Sequence, residues 1–120
     1  MLLRDKDRQT LQAIFASAKT PMEVWAYGSR VRGEAHDGSD LDLVIRSKNL
    51  QKIPIDDLMA VKENIMKSNI PILVDVFDWC RLPTSFQANI ERQHEVLFSN
   101  VELGINEPPT EYGKKGGTED

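Results

Sequence analysis

Apolar residues along the chain follow two spacings, one typical of helices and one typical of strands. Near the start, Leu11, Ile14 and Phe15 recur at helical spacing, which predicts an amphipathic helix that ends before Pro21. Two later segments have the same helical character: residues 54–71 and residues 83–98. These patterns predict three amphipathic helices.

Three shorter segments are rich in aliphatic and aromatic residues and predict strands. They are residues 23–29, 40–47 and 72–79. The first strand is predicted to stop at Gly28, and the polar segment after it is predicted to end as a loop, with a short helix at its start left open. Thr84 or Ser85 is the predicted N-cap of the last helix. The end of that helix is left open, because residues 96–98 can instead form a short strand.

The order of these elements predicts an α/β (α+β) fold, a small mixed β-sheet flanked by helices. A chain of 120 residues is long enough for one core but not for two. We assign residues 1–103 to this domain. Residues 104–120 have almost no core-forming side chains and are predicted to be a flexible tail.

Composition excludes several classes of function. A net charge of −4 argues against a protein that coats nucleic acid, because phosphate binding requires a basic surface. No apolar run approaches the length of a membrane span, so no membrane association is expected. The single cysteine, Cys80, excludes an internal disulfide framework and makes the cytoplasm the expected location.

Two aspartates lie inside an otherwise apolar strand. Side chains alternate along a strand, so Asp40 and Asp42 share one face, with Cα atoms about 6.6 Å apart. Asp75 of the third predicted strand can join them if the strands pair suitably, and Asp78, on the opposite face, is a rival for that role. Gathered carboxylates suppress one another's ionisation unless a cation joins them, and Mg²⁺ prefers such oxygen ligands. The alternative is an exposed acidic strand end without a site.

The turn before these aspartates has the composition of a phosphate-binding segment. Gly28 lacks a Cβ and lets a ligand approach the backbone, while Ser29 adds a hydroxyl and an N–H. Arg30 and Arg32 lie close enough in sequence to bind a polyphosphate; the alternative is that one of them is only solvated. The spacing of glycines from Gly28 is not a P-loop, because Glu34 stands where that motif requires lysine.

Together these residues resemble the minimal nucleotidyltransferase (MNT) family of the polymerase-β-like superfamily. The family signature is Gly-Ser, ten residues, then Asp-x-Asp, which reads here as Gly28-Ser29, residues 30–39 and Asp40-Leu41-Asp42. The strand over residues 72–79 resembles the family's strand with a third acid, at Asp75. The resemblance covers residues 7–98 and is carried by the combination of motifs rather than by any one of them.

The resemblance implies a nucleotidyltransferase fold that binds ATP or another nucleoside triphosphate with Mg²⁺, two ions being expected. Asp40 and Asp42 would hold the metal ions, and Asp75 would complete the site and help activate an acceptor hydroxyl. Gly28 and Ser29 would bind the triphosphate.

The resemblance also implies a partner. Stand-alone MNT domains resemble antitoxins that transfer AMP to a tyrosine of a helical HEPN ribonuclease, with which they can form a hetero-oligomer; no direct contact with nucleic acid is expected. Two alternatives stay open. The acceptor can be a small hydroxyl compound, or the protein can be a non-catalytic, nucleotide-binding partner.

Overall fold

The computed structural model describes residues 1–36 and 38–101. The helices are α1 (Asp5–Ala16), α2 (Ser29–Arg32), α3 (Ile55–Met66) and α4 (Thr84–Arg92). The strands are β1 (Met22–Tyr27), β2 (Leu41–Ser47), β3 (Val74–Asp78) and β4 (Glu95–Ser99). The predicted domain end at residue 103 and the predicted tail, residues 104–120, lie outside the described residues.

The four strands of the described chain form one sheet in the order β3-β2-β1-β4. β1 pairs antiparallel with both β2 and β4, whereas β2 and β3 are parallel. The parallel pair requires a crossover, which α3 provides. The predicted mixed sheet is therefore confirmed.

Helices cover both faces of the sheet. On one face, α1 and α3 bury the alternate positions of β2 in the main core. Its largest fully buried side chains are Leu11, Phe15, Met22, Val24, Leu41, Leu43, Ile45 and Ile53. On the other face, Ile90 of α4 packs with Trp25, Tyr27, Val44 and Trp79 in a smaller core. Because residues alternate along a strand, Asp42 and Val44 belong to the face that α4 covers.

The last predicted helix is divided in the structure. α4 ends at Arg92 and β4 follows, so the strand alternative for residues 96–98 is confirmed. Leu97 is buried in the main core as a strand residue rather than as part of α4. The reason is that β1 needs a partner along its second edge, and the backbone groups of β4 supply it.

The predicted N-cap of α4 is wrong. The cap position is Pro83, and no side chain caps the helix. The carbonyl of Pro83 accepts hydrogen bonds from the backbone N–H groups of Phe86 and Gln87, both at 3.0 Å. Proline suits this end because its fixed φ and missing N–H cost nothing before the first turn. In the described part of the chain, no helix is long and apolar enough to cross a membrane.

Candidate active site

One end of the sheet brings the predicted acidic residues and the glycine turn together. Asp42 pairs with Tyr27, the last residue of β1, and with Asp75 on the other side. Residues that pair across neighbouring strands point to the same face, so the Asp42 and Asp75 carboxylates lie side by side. Gly28 directly follows β1 and therefore lies at the same end.

Gly28 is in close contact with Asp42. Its backbone has φ 86° and ψ −159°, a conformation that is essentially restricted to glycine. A Cβ at this position would lie 2.5 Å from Asp42 Oδ2. The glycine of the Gly-Ser pair is thus required twice, by the backbone conformation and by the space that the carboxylate occupies.

The carboxylates interact electrostatically. Burial raises the pKa of Asp42 above its usual value, and the neighbouring Asp75 and Asp40 raise it further, while Arg32 opposes them. Asp40 is exposed and lies directly before β2. Among the described residues, no group of three or more acidic, histidine or cysteine side chains is gathered closely enough to hold a metal ion. The structure thus places Asp42 and Asp75 in register and Asp40 beside them, without a closed coordination shell.

Tyr27 lies next to this pair and shares its electrostatic environment. Burial raises the pKa of its phenol, and the charges of Asp42 and Asp75 add to the rise. Tyr27 therefore stays a neutral hydroxyl at any physiological pH. It contributes an apolar wall and a hydrogen-bonding group rather than a charge.

The two predicted phosphate-binding arginines are separated by the structure. Arg32 lines the cleft beside Gly28, although its guanidinium also forms an ion pair with Glu34 at 2.9 Å. Arg30 is buried and points elsewhere: its guanidinium donates to the carbonyl of Ser39 at 2.9 and 3.1 Å and to that of Leu2 at 2.5 Å. Residues two apart on a helix point to different sides, so only one of this pair can face the cleft.

Asp78, the rival third acid, has a structural role. It is buried, and its carboxylate accepts hydrogen bonds from the backbone N–H groups of Ile53 at 2.8 Å and Cys80 at 3.1 Å. It also forms an ion pair with Arg81. These contacts tie the end of β3 to the segment before α3. Asp75 is left as the carboxylate beside Asp42.

A cleft of about 610 Å³ begins at the Gly28 turn and continues along α4. Its walls include the turn residues Gly28, Ser29 and Arg32, the Asp42 carboxylate, and the α4 residues Phe86, Asn89, Arg92 and its C-cap Gln93. This volume lies within the range of about 300–1,000 Å³ usual for small-molecule sites. The α4 wall was not among the predicted site residues. Only the helical spacing of Phe86, Asn89 and Gln93 signalled a shared face, and nothing local signalled what that face meets.

Trp25 and Trp79 lie behind this wall, in the smaller core. Their rings meet edge to face with centroids 5.4 Å apart, and the Arg46 guanidinium lies over both. His94 stacks on Trp25 at 3.7 Å and is half-buried, whereas His36 is exposed. The two tryptophans thus have a packing role behind the cleft wall.

The comparisons with known proteins agree with this geometry. The family described as polymerase beta, nucleotidyltransferase, matches residues 9–103. The chain belongs to this nucleotidyltransferase family. Its fold and its enzymatic class, nucleotidyl transfer, follow from this membership, and the resemblance read from the Gly-Ser and Asp-x-Asp motifs is confirmed.

Two individual proteins are similar to this nucleotidyltransferase. One, from Haemophilus influenzae, is named "Probable protein adenylyltransferase MntA"; it is 32% identical over 108 residues, which cover 88% of this chain and 90% of the relative. The other is a solved structure described as the crystal structure of a toxin-antitoxin with AMP-PNP. Its TM-score is 0.63, with 15% identity over 78% of this chain and 73% of that chain. At that identity the second likeness is one of fold.

Proposed function

We propose that this nucleotidyltransferase uses Mg²⁺ to transfer AMP from ATP to a hydroxyl group, a tyrosine being expected, on a HEPN-type toxin, and that it thereby acts as the antitoxin. The observation that supports this proposal best is the registered pair of Asp42 and Asp75 beside the Gly28 turn, where Asp42 lines a cleft of suitable size. The similarity to a relative named as a protein adenylyltransferase supports a protein acceptor.

The carboxylates of Asp42 and Asp75 fit a divalent cation as a pair, although with Asp40 they are not gathered closely enough in the structure to form a three-ligand site. The pKa of Asp42 is raised because its charge is buried next to other carboxylates, and a bound cation would remove that penalty. Asp40, Asp42 and Asp75 would hold Mg²⁺, which neutralises charge on the triphosphate when it is bound.

Side chains of the protein have the other roles in the proposed reaction. Ser29 and Arg32 bind the triphosphate, and Gly28 lets it approach the backbone. Asp75 accepts the proton of the acceptor hydroxyl, whose oxygen forms a bond to the α-phosphorus. The bond between the α-phosphorus and the bridging oxygen to the β-phosphate breaks, and pyrophosphate leaves. Arg30 stays outside this scheme because its guanidinium is bonded to backbone carbonyls away from the cleft.

Labelled ATP tests the proposal. The protein is incubated with α-³²P-labelled ATP, Mg²⁺ and the HEPN-type protein proposed as its partner, and label on that protein is measured. We expect Asp42→Asn to lower labelling at least about a hundredfold, since it removes a carboxylate that would hold Mg²⁺ against the triphosphate. Asp56→Asn, an exposed aspartate in the first turn of α3, is the matched control and should label normally.

Two outcomes would contradict the proposal. Undiminished labelling by Asp42→Asn would remove this carboxylate from the reaction. Full neutralisation of the toxin in cells by the Asp40→Asn, Asp42→Asn double variant would instead favour a non-catalytic partner protein.

A further inference from the structure

The part of the cleft along α4 has no role in the reaction scheme above. The phosphate end is formed by the Gly28 turn and Asp42, whereas Phe86, Asn89 and Gln93 line the rest. Topology explains why α4 lies here. Glu95, the first residue of β4, pairs with Ala26 near the end of β1, so the end of α4 is brought back to the glycine turn.

Phe86 leaves an aromatic ring open to this cleft. Its side chain lines the cleft and is 41% exposed. Its ring packs edge to face against Tyr27, with the ring centroids 6.0 Å apart. Packing on one side fixes the ring while leaving surface for a ligand. A positioned aromatic ring beside a phosphate-binding turn is the usual stacking partner of a base.

Asn89 and Gln93 present amide groups along the same wall. Phe86 and Asn89 lie on one face of α4 and line the cleft, as does Gln93, the C-cap residue that follows the helix. The Asn89 Oδ1 atom accepts a hydrogen bond from Arg92 Nη1 at 2.7 Å, which orients the amide and engages the arginine. A side-chain amide offers a donor and an acceptor together, which matches the paired donor and acceptor of adenine. These adenine atoms, N6 and N7, lie on the Hoogsteen edge of the base. Guanine offers two acceptors on its Hoogsteen edge, O6 and N7, and suits arginine instead.

We propose that the cleft face of α4 is the nucleobase site, in which adenine stacks on Phe86 and pairs with the amides of Asn89 and Gln93. This inference rests on the proposed function and deepens it, because it names the residues that select the nucleotide. Phosphate binding at the Gly28 turn and base binding at α4 are then separate contributions to one ligand.

Comparison of two probes tests the stacking contact. Binding of Mg·ATP and of Mg·tripolyphosphate, which has no base, is measured by titration calorimetry on the full chain. We expect Phe86→Ala to weaken Mg·ATP binding about tenfold, the size expected for loss of one stacking partner, and to leave Mg·tripolyphosphate binding unchanged. Phe77→Ala is the matched control, because Phe77 is also 41% exposed but does not line the cleft. Phe77→Ala should leave the binding of both Mg·ATP and Mg·tripolyphosphate unchanged.

The results separate the inference from the proposed function. Wild-type binding of both probes, with Mg·ATP equally tight in Phe86→Ala, overturns the base site and leaves the phosphate site standing. Failure of the wild-type protein to bind either probe overturns both. Equal weakening of both probes by Phe86→Ala also overturns the base site, since it indicates a general loss of structure.

The choice of base is tested in the same way. We expect wild-type protein to prefer Mg·ATP over Mg·GTP about tenfold, as for loss of a paired amide contact. The Asn89→Ala, Gln93→Ala double variant should bring this ratio close to one, whereas Phe86→Ala should weaken both nucleotides alike. Both amides are exposed, so the variants are expected to fold. A wild-type protein that binds Mg·GTP as tightly as Mg·ATP overturns the pairing.

Discussion

At the residue scale, the site depends on a backbone position that only glycine can occupy. Gly28 and Gly33 both have positive φ, 86° and 79°, so a side chain at either is strained. They differ in what a Cβ would meet: Asp42 Oδ2 at 2.5 Å for Gly28, and nothing within 4 Å for Gly33. Conformational strain and displacement of the carboxylate can therefore be measured separately.

We expect Gly33→Ala to lower the free energy of unfolding by about 1–2 kcal/mol, the cost of a left-handed backbone for alanine. Gly28→Ala should lower it more, by about 3 kcal/mol, because the backbone conformation at Gly28 is essentially restricted to glycine. Only Gly28→Ala should also lower nucleotidyl transfer, by about a hundredfold, because it displaces the Asp42 carboxylate. Urea unfolding and initial transfer rates are the measurements. Equal activity of the two variants would show that the contact between Gly28 and Asp42 has no part in the reaction.

The raised pKa of Asp42 predicts a pH dependence of stability. An acid whose pKa is higher in the folded than in the unfolded protein destabilises the fold when it is ionised, and this penalty disappears as the pH falls below the unfolded value. Asp42→Asn should therefore raise the free energy of unfolding at pH 7. The gain should shrink as the pH is lowered towards 3.8, the ordinary value for aspartate, and vanish below it.

Urea unfolding across this pH range, without divalent cations, is the measurement. Asp56→Asn is again the control and should show no such trend. A variant that is less stable than the wild type at pH 7 would contradict the electrostatic assignment.

At the element scale, α4 is the part of the site that depends most on packing. Ile90 is buried against Trp25, Tyr27 and Trp79, and the Gln87 amide donates to the carbonyl of Trp79 at 2.8 Å. These contacts hold a mostly polar helix over the sheet. The position of Phe86 in the cleft depends on them.

We expect Ile90→Ala to lower the free energy of unfolding by about 2–5 kcal/mol, because it removes buried aliphatic contacts and leaves a cavity. Ile55→Ala, at the start of α3, is the matched control: Ile55 is 54% exposed, and its change should stay within about 0.5 kcal/mol. Urea unfolding compares the two. Similar losses for both would mean that α4 is not anchored through Ile90.

At the scale of the whole molecule, the family match ends at residue 103, and residues 104–120 have almost no core-forming side chains. The domain is thus expected to be complete without residues 104–120. Deletion of these residues should leave the free energy of unfolding and the affinity for Mg·ATP unchanged. Unfolding in urea and calorimetric titration test this, and a loss of either property would place the deleted residues in the domain.

Some features of the fold and of the candidate site could be predicted from the sequence, and others could not. Periodicity predicted α1, α3 and three of the strands, because those elements bury one regular face. The alternation around Asp42 predicted which side chains share its face. Alternation puts Asp75 and Asp78 on opposite faces of their strand. Only the pairing of β2 with β3 shows which of the two shares the face of Asp42. The α4 wall was missed for the same reason, since its neighbours are distant in sequence.

The placement of β3 has a consequence for the size of molecule that this enzyme can modify. β3 is the outermost strand on its side of the described sheet, so Asp75 is reached from the flank without passing between secondary-structure elements. A carboxylate on the border strand leaves room for a bulky folded substrate to lay one side chain across the rim while the rest of its body stays outside.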